Sequence, residues 1–522
     1  MAADYKTSKE AWVSGMTGST ISHINIISCV ALASIALHSA LQAHVYGARN
    51  IPLTISWMVL ILPLLLSMTL FANNSWFLSC LLLVPTAVLS LRLPRLESRT
   101  PLPSNFGGSN PGTPRTSSPS PSSGWPPNKA SITSLPALTT YRAHMLLMTI
   151  LAILAVDFPV FPRSLVKCET YGVSLVRWRR MDLGVGSFVF SQGLVSAIPL
   201  LKDPGHLSAP LYPKLRMVVR KTLPIIALGV IRVLLVKGTE YPEHESEYGT
   251  HWNFFITLAL LPILQVIFDP VIIQIPVSLL AIGVALLQQF ALSTLGLKQY
   301  VRTAPRTNFV SANKEGIVSL AGYLSIHLLG LSTGTLMLPP SPGFFRRLKA
   351  RRASPTDLSA PRQNDKTAME LTSYAAVWWA LLGLASLIGV DEGVSRQMVN
   401  LMYVLWIAAF NTSFILGYLL LDMLFFPTPS MSKVEPSSVL AQASGHHQAL
   451  IAPTMGAPPL LQAINTNGLP LFLVANVGTG LVNLTMRTMY ASDVTSMVVL
   501  ILYALGVCGV AWALRGTRVW RM

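Results

Sequence analysis

Long apolar runs recur along the whole chain, and they limit the possible folds more than any other feature. About thirteen of them reach the length of roughly 18 residues that a helix needs to cross a bilayer. They are continuous rather than alternating, which argues against a transmembrane β-barrel. The chain is 52% hydrophobic and only 11% charged, whereas a soluble domain carries about 25% charged residues. We therefore predict an all-α polytopic integral membrane protein, a bundle of about 13 transmembrane helices.

The distribution of basic residues predicts how this bundle is oriented. The predicted spans are residues 24–46, 52–72, 76–93, 141–156, 183–201, 216–236, 252–268, 271–293, 315–338, 372–389, 399–425, 468–488 and 494–514. Lys and Arg concentrate in cytoplasmic loops, and here they are most frequent in the loops that share a side with the C-terminus. We therefore predict a luminal N-terminus and a cytosolic C-terminus. The formal net charge of +17 then reflects membrane topology rather than nucleic-acid binding.

Two polar stretches divide the chain into three groups of spans. Residues 99–140 are rich in Pro, Ser and Gly, and residues 339–371 are rich in Arg and Pro. Because neither stretch can bury enough apolar surface to fold, we predict that both are disordered cytosolic loops. They separate an N-terminal luminal segment with the first three spans (1–98), the catalytic-region spans with luminal loops (141–338) and the C-terminal spans (372–522).

A dense group of ionisable side chains interrupts the apolar pattern at residues 156–187. Ionisable groups are costly at the edge of a bilayer, so such a group is a functional-site hypothesis by default. Asp157 follows an apolar helix and precedes two prolines, a position where a carboxylate suits a general base. Lys167 would stabilise an oxyanion or hold a phosphate, and Arg163 offers a bidentate phosphate contact. The alternative is structural: Asp157 caps a helix or forms an ion pair, and Lys167 reaches the lipid headgroups.

Two further segments on the predicted luminal side carry candidate binding residues. Residues 5–25 lead small and hydroxyl side chains into the first span, a pattern that fits an anion site at a helix terminus but more often reflects ordinary capping. Residues 302–327 combine a basic loop with a Gly-rich span, and a basic loop on this side favours a phosphate-bearing ligand. His327 in this span is either a catalytic base or a hydrogen-bonded packing residue.

Polar residues inside or beside other spans have simpler interpretations. Asn483 follows Gly478, Thr479 and Gly480, and small residues of this kind favour close helix packing. Arg232 lies within a span and needs a partner there. The acidic and His-containing stretch at 240–251 lacks the ligand spacing of a zinc site, so we predict no metal.

Four blocks of the sequence, taken in order, resemble one known family. They are YKTSKEAWVSGMTGSTISHIN at 5–25, AVDFPVFPR at 155–163 followed by K.ETYGVSL at 167–175 and MDLGVGSFVFSQG at 181–193, RTNFVSANKEGIVSLAGYLSIHLLG at 306–330 and GLVNLTM at 480–486. Together they are similar to the glycosylphosphatidylinositol (GPI) inositol acyltransferases, the PIG-W family. The chain looks most like the fungal branch of that family, the GPI-anchored wall transfer proteins.

The resemblance implies a multi-pass enzyme of the endoplasmic reticulum membrane. Members of the family move a fatty acyl group, typically palmitoyl, from acyl-CoA to the inositol ring of glucosaminyl-phosphatidylinositol, an early step of GPI-anchor biosynthesis. Acyl-CoA is then a co-substrate, and no separate cofactor and no nucleic acid are implied. The lipid substrate, the membrane and other membrane enzymes of the pathway are the implied partners. The functional Asp and Lys of the family correspond to Asp157 and Lys167, which we predict to be catalytic.

The same blocks supply the residues that we expect to bind substrate. These residues are Arg163, Glu169, Ser174, Asp182, His23, Asn25, Arg306, Asn313, Lys314, Glu315, Tyr323, His327 and Asn483. The chain departs from the family pattern at 176–180, where VRWRR separates GVSL from MDLGVGSF. These five residues either form a bulge or come from an error in the gene model, such as a retained piece of intron. Two other classes fit the composition: a lipid or solute transporter, which inverted repeats would support, and a non-catalytic scaffold in which Asp157 matters only for folding.

Overall fold

The computed structural model describes residues 8–9, 12, 19–94, 132, 135–165, 180–237, 245–350, 354–391, 393–427 and 456–519. Every regular element in these ranges is a helix. Ten of the helices described there are long and apolar enough to cross a membrane. The predicted all-α polytopic membrane fold is therefore confirmed.

The helices are numbered here in chain order. They are α1 (Ile21–Leu41, continued by a π-helical turn at Gln42–Tyr46), α2 (Leu53–Leu60), α3 (Leu62–Met68), α4 (Ser75–Arg92), α5 (Pro136–Ala155), α6 (Arg180–Lys202), α7 (Leu211–Lys237), α8 (Glu245–Tyr248), α9 (Phe254–Gln274), α10 (Val277–Ser293), α11 (Leu297–Thr303), α12 (Phe309–Ala312), α13 (Lys314–Met337), α14 (Phe344–Lys349), α15 (Asn364–Ile388), α16 (Leu401–Phe425), α17 (Pro459–Thr466), α18 (Gly468–Thr485) and α19 (Asp493–Ala513).

Two predicted spans are interrupted in the structure. The segment predicted at 271–293 is divided between the end of α9 and α10, because Pro276 precedes α10 and lacks the N–H that would continue a helix. α10 then meets α11 at a bend of 61°, and counting this bent pair as one span gives eleven in the described residues. The segment predicted at 52–72 forms α2 and α3, which meet at Ile61 and are together shorter than a membrane span.

The predicted span at 216–236 corresponds to α7, which is long but too highly charged to count as a membrane-length apolar helix. It has 27 residues and carries the cations Lys214, Arg216, Arg220, Lys221 and Arg232. Arg232 is exposed, and its guanidinium carbon lies 6.0 Å from the centre of the Phe255 ring. The long side chains of Arg and Lys can run along a helix toward water, so α7 combines a long helix with a charged surface.

Order extends further into the two polar stretches than their composition predicts. Residues 136–140, at the end of the predicted loop 99–140, form the first turn of α5. Within 339–371 the structure contains α14 and the start of α15. Phe344 and Leu348 of α14 are buried, and Lys349 Nζ donates a hydrogen bond to the Ile272 carbonyl at 2.7 Å. These few apolar anchors tie the segment to the bundle, although its average composition is polar.

The centre of the bundle is the pair α6 and α13, the most extensively packed helix pair in the described residues. Three glycines bring the two backbones into contact. A Cβ added at Gly193 would lie 1.9 Å from the His327 carbonyl oxygen, and one at Gly330 would lie 2.0 Å from the Phe190 carbonyl oxygen. Gly334, one turn further along α13, lies equally close to α6. Small residues allow this approach within a membrane, where dispersion contacts stabilise helix pairs.

Loops that the sequence predicts to share a side of the membrane contact one another. On the side of Asp157, Thr250 N–H donates to the Ala312 carbonyl at 3.0 Å, and Lys298 pairs with Asp391 at 2.7 Å. On the opposite side, the Asn467 amide donates to the Thr517 carbonyl at 2.7 Å. These contacts agree with the predicted alternation of the chain between two faces. The assignment of the cytosolic face rests on the positive-inside rule alone.

Candidate active site

Asp157 lies on a tight turn at the end of α5. Its N–H donates to the Leu154 carbonyl at 3.1 Å, and the Phe158 N–H donates to the Ala155 carbonyl at 3.0 Å, so the last helical turn is closed. The side chains of Phe158 and Phe161 are completely buried and anchor the turn in the bundle. Asp157 itself is only 4% exposed. The apolar anchors therefore hold a carboxylate where it has little contact with bulk water.

The Asp157 carboxylate is held by two side chains from distant parts of the chain. Lys9 Nζ lies 3.0 Å from Oδ1, and Asn483 Nδ2 donates to Oδ2 at 2.8 Å. Lys9 Nζ also donates to Asn483 Oδ1 at 3.0 Å, which closes a triangle. Thr488 Oγ1 donates to the same Asn483 oxygen at 3.2 Å. Buried charge is costly unless it is paired and hydrogen-bonded, and here it is both.

Arg163 folds back over the Asp157 turn. Its guanidinium donates to the carbonyl oxygens of Val156, Phe158 and Phe161 at 2.6–3.3 Å. The guanidinium carbon lies 3.6 Å from the centre of the Trp12 ring, a cation–π contact. Burial lowers the pKa of Arg163 to about 10, against the opposing effect of the Asp157 charge, so the guanidinium is cationic at neutral pH. Nη1 is buried without a hydrogen-bond partner among the described residues, which leaves one nitrogen for the predicted phosphate contact.

His23 and Asn25 lie at the start of α1, where the structure shows capping. The Thr20 hydroxyl accepts a hydrogen bond from the His23 N–H at 3.2 Å. His23 Nε2 lies 2.8 Å from the Ala72 carbonyl and therefore donates, so its Nδ1 accepts from Ser19. Asn25 Oδ1 is buried without a partner among the described residues. The contacts of His23 are thus structural, and its role in substrate binding stays a prediction, as does that of Asn25.

The polar side chains of the basic loop before α13 are paired with other groups of the protein. Arg306 forms a bidentate ion pair with the buried carboxylate of Glu315, at 2.7 and 3.1 Å. Asn313 Oδ1 accepts from the His251 N–H at 2.8 Å, and Lys314 Nζ donates to the Ala304 carbonyl at 2.5 Å. These contacts join α13 to the neighbouring loops. The phosphate-binding role predicted for Arg306, Asn313, Lys314 and Glu315 remains a prediction, since their described contacts are internal.

Tyr323 and His327, further along α13, are both buried. The Tyr323 hydroxyl interacts with the Tyr248 hydroxyl, which accepts a hydrogen bond from Arg396 at 3.1 Å. His327 Nε2 donates to Gln265 Oε1 at 2.8 Å, and its Nδ1 has no hydrogen-bond partner among the described residues. Of the two interpretations of His327, the structure favours hydrogen-bonded packing.

Comparison with known proteins defines the family. The GWT1 family model matches residues 5–514. The chain belongs to the GWT1 family. It is 37% identical to the GPI-anchored wall transfer protein 1 of Gibberella zeae, over 98% of this chain and 97% of that protein. It is 45% identical to the protein of the same name from Cryptococcus neoformans var. grubii, over 74% of this chain and 63% of that protein. The corresponding protein of Yarrowia lipolytica is 33% identical over 98% of this chain.

Part of the predicted site of this GWT1-family protein lies beyond the part of the chain that the structure describes. Lys167, Glu169 and Ser174 are outside the described residues, as are 176–179 of the VRWRR segment. Asp182 lies in the first turn of α6, where only the backbone is described. The predicted pairing of Asp157 with Lys167 therefore stays a prediction, whereas the structure does bring Asp157, Arg163 and Asn483 together.

Lys9, Trp12 and Thr488 were not among the residues predicted to form the site. Lys9 and Trp12 belong to the first family block, from which only His23 and Asn25 were predicted to bind substrate. The available signal is the spacing of three residues between Lys9 and Trp12, since residues three apart on a helix are neighbours on its surface. In this GWT1-family protein Lys9 contacts Asp157, and Trp12 contacts Arg163.

The Arg306–Glu315 pair gives a stability prediction. We expect Arg306→Met to lower the free energy of unfolding by about 3 kcal/mol, because removing one partner leaves a buried charge uncompensated. The double variant Arg306→Met with Glu315→Leu should be more stable than Arg306→Met alone. Thermal unfolding of the purified protein measures both, with Arg216→Met, an exposed arginine on α7, as the control. If the single and the double variant lose the same amount of unfolding free energy, the importance of the Arg306–Glu315 pair is contradicted.

Proposed function

We propose that this protein is an acyltransferase of GPI-anchor biosynthesis that moves a fatty acyl group, palmitoyl by family resemblance, from acyl-CoA to the inositol ring of glucosaminyl-phosphatidylinositol. One observation carries the proposal: a buried carboxylate, Asp157, is oriented on both oxygens by Lys9 and Asn483 at the end of a membrane-length helix. Relatives of full length are named for GPI-anchored wall transfer. The substrates and the reaction are those that the family resemblance implies, and the contacts of Asp157 support them.

The carboxylate is suited to accept a proton. An ionised carboxylate has about four acceptor positions, and Lys9 and Asn483 each approach a different oxygen of Asp157. Acceptor positions remain on both oxygens for a substrate hydroxyl. A thioester is already an activated acyl donor, so a general base and an oxyanion donor are sufficient for transfer.

The proposed reaction balances without a further reactant. The inositol O–H gives its proton to Asp157 as its oxygen attacks the thioester carbonyl carbon. The tetrahedral intermediate collapses with cleavage of the C–S bond, and the proton passes from Asp157 to the CoA thiolate. Lys167 stabilises the oxyanion. The products are an acyl ester on the inositol ring and free CoA.

In the proposal the remaining predicted residues bind the two substrates. Arg163 Nη1, which has no partner among the described residues, contacts the lipid phosphate in this proposal. The residues of the second and third family blocks bind other parts of the two substrates. We place the protein in the endoplasmic reticulum membrane with the Asp157 face toward the lumen, following the positive-inside rule. Other membrane enzymes of the pathway are candidate partners.

The test is reconstitution of the purified full chain in nanodiscs that contain glucosaminyl-phosphatidylinositol. Palmitoyl-CoA labelled in the acyl group is added, and labelled lipid and free CoA thiol are measured together. We expect one thiol to be released for each labelled lipid formed. No transfer of label would overturn the proposal. In sealed vesicles, movement of an intact acyl-CoA or lipid across the bilayer without thiol release would instead establish the transporter alternative.

A further inference from the structure

We infer that Lys9 is a positioning residue of the reaction: its ammonium, supported by the contact of Trp12 with Arg163, holds the Asp157 carboxylate in one orientation. The inference rests on the proposed function and extends it to a part of the chain that precedes the first span. The role of Lys9 is exerted through Asp157.

The contacts of Lys9 fix the orientations of both the Asp157 carboxylate and the Asn483 amide. Its ammonium lies 3.0 Å from Asp157 Oδ1 and donates to Asn483 Oδ1 at 3.0 Å. Asn483 can then direct only its amide nitrogen at Asp157 Oδ2. Lys9 therefore determines the orientation of the Asn483 amide as well as that of the carboxylate. Rotation of either group would break two contacts of the triangle at once.

Because Lys9 and Asp157 are both buried, the contact between them is important for keeping the carboxylate ionised. Lys9 is 7% exposed and Asp157 is 4% exposed. A buried carboxylate without a cation would be costly to keep ionised, and a base must be ionised before it can accept a proton. In the described structure the positive charge at 3.0 Å is supplied by Lys9, which comes from outside the helical bundle.

Trp12 attaches this segment to the turn. Its ring stacks on Arg163 at 3.6 Å, and Arg163 donates to three carbonyls of the Asp157 turn. Lys9 thus contacts the Asp157 carboxylate directly, whereas Trp12 contacts Arg163, which is bonded to the carbonyls of the turn. Because Trp12 reaches Asp157 only through Arg163, its removal should cost less activity than the removal of Lys9.

The first test compares Lys9→Met with Lys9→Arg in the nanodisc transfer assay. A misplacement of about 1 Å at a reacting group costs on the order of 10²-fold in rate, so Lys9→Met should lower kcat about 10²-fold with little change in KM for acyl-CoA. Lys9→Arg, which keeps a cation, should recover most of that loss. Lys298→Met removes a lysine from a different ion pair, that with Asp391, and is the matched control, with thermal unfolding recorded for each variant.

The second test asks whether Lys9 and Asn483 act on the same group. Because both orient Asp157, the loss in the double variant Lys9→Met with Asn483→Leu should be smaller than the product of the two single losses. If Lys9→Met does not accumulate, Lys9→Gln replaces it in both tests, since Gln keeps a donor without the charge. The Lys9→Gln variant should then also have a lower kcat than the unmodified chain.

The outcomes separate the inference from the proposed function. If the unmodified chain transfers no acyl group, the proposed function fails. If the unmodified chain is active and Asp157→Asn is inactive, but Lys9→Met keeps the full kcat, only the inference about Lys9 is overturned. A loss in Lys9→Met that Lys9→Arg does not recover, or a loss matched by Lys298→Met, overturns it as well.

Discussion

Asp157→Asn is expected to remain folded, at a lower thermal midpoint because the buried Lys9 loses its counter-charge, and to lose nearly all acyl transfer. An amide has the size of a carboxylate but cannot accept the proton of the inositol hydroxyl, and general-base catalysis contributes about 10²–10⁴-fold to a rate. The side chain keeps an oxygen that accepts a hydrogen bond from Lys9. The measurement is the rate of label transfer from palmitoyl-CoA, at equal amounts of folded protein.

The matched control for this prediction is Asp365→Asn, which makes the same chemical change at an exposed position at the start of α15. It should transfer acyl groups at the unmodified rate. If Asp157→Asn does so too, Asp157 is not the base. If the variant loses activity and structure together, as thermal unfolding would reveal, the scaffold alternative gains support.

Gly193→Ala is expected to destabilise the pair of central helices, α6 and α13. The new Cβ would lie 1.9 Å from the His327 carbonyl oxygen and 2.8 Å from its carbonyl carbon. These are backbone atoms of α13, so the clash is relieved only if the two central helices move apart. Overpacking of a close-packed core costs about 1–3 kcal/mol and occasionally more. We therefore expect a strongly reduced thermal midpoint and poor accumulation in the membrane.

Gly283→Ala is the control, since a Cβ at this glycine of α10 would meet no atom within 4 Å. Ala is favoured over Gly within a helix by about 1 kcal/mol, so this variant should be as stable as the unmodified chain or slightly more stable. Similar midpoints for the two variants would mean that α6 and α13 are not as closely packed as described. Gly330→Ala, whose Cβ would lie 2.0 Å from the Phe190 carbonyl oxygen, should resemble Gly193→Ala.

The helical membrane fold could be predicted because continuous apolar runs have few alternatives in a bilayer. The structure differs from the prediction where one or a few side chains depart from the average composition of their stretch. Pro276 divides a run that is apolar throughout, and the cations of α7 lower the apolarity of a long helix. Phe344 and Leu348 order a stretch whose composition is polar. A window average detects none of these effects, because each depends on one or a few side chains.

The site could be predicted only in part, because its contacts are long-range. Asp157 stands out as a charge beside apolar residues, and Asn483 is marked by a family block. Their common partner Lys9 is a short distance away only because the N-terminal segment, the end of α5 and α18 meet in space. Arg306 and Glu315 show the converse. Both were predicted to bind substrate, but no sequence pattern indicated that they bind each other.

The most direct measurement is a structure of the full chain with a non-hydrolysable thioether analogue of palmitoyl-CoA and glucosaminyl-phosphatidylinositol. The distance to be read is that from the Asp157 carboxylate to the nearest inositol hydroxyl, with the acyl carbon beside it. The proposal predicts about 3 Å, the reach of a general base, with Lys9 and Asn483 still on the carboxylate. Both substrates bound away from Asp157, with the Lys9–Asp157 pair facing only protein, would contradict it.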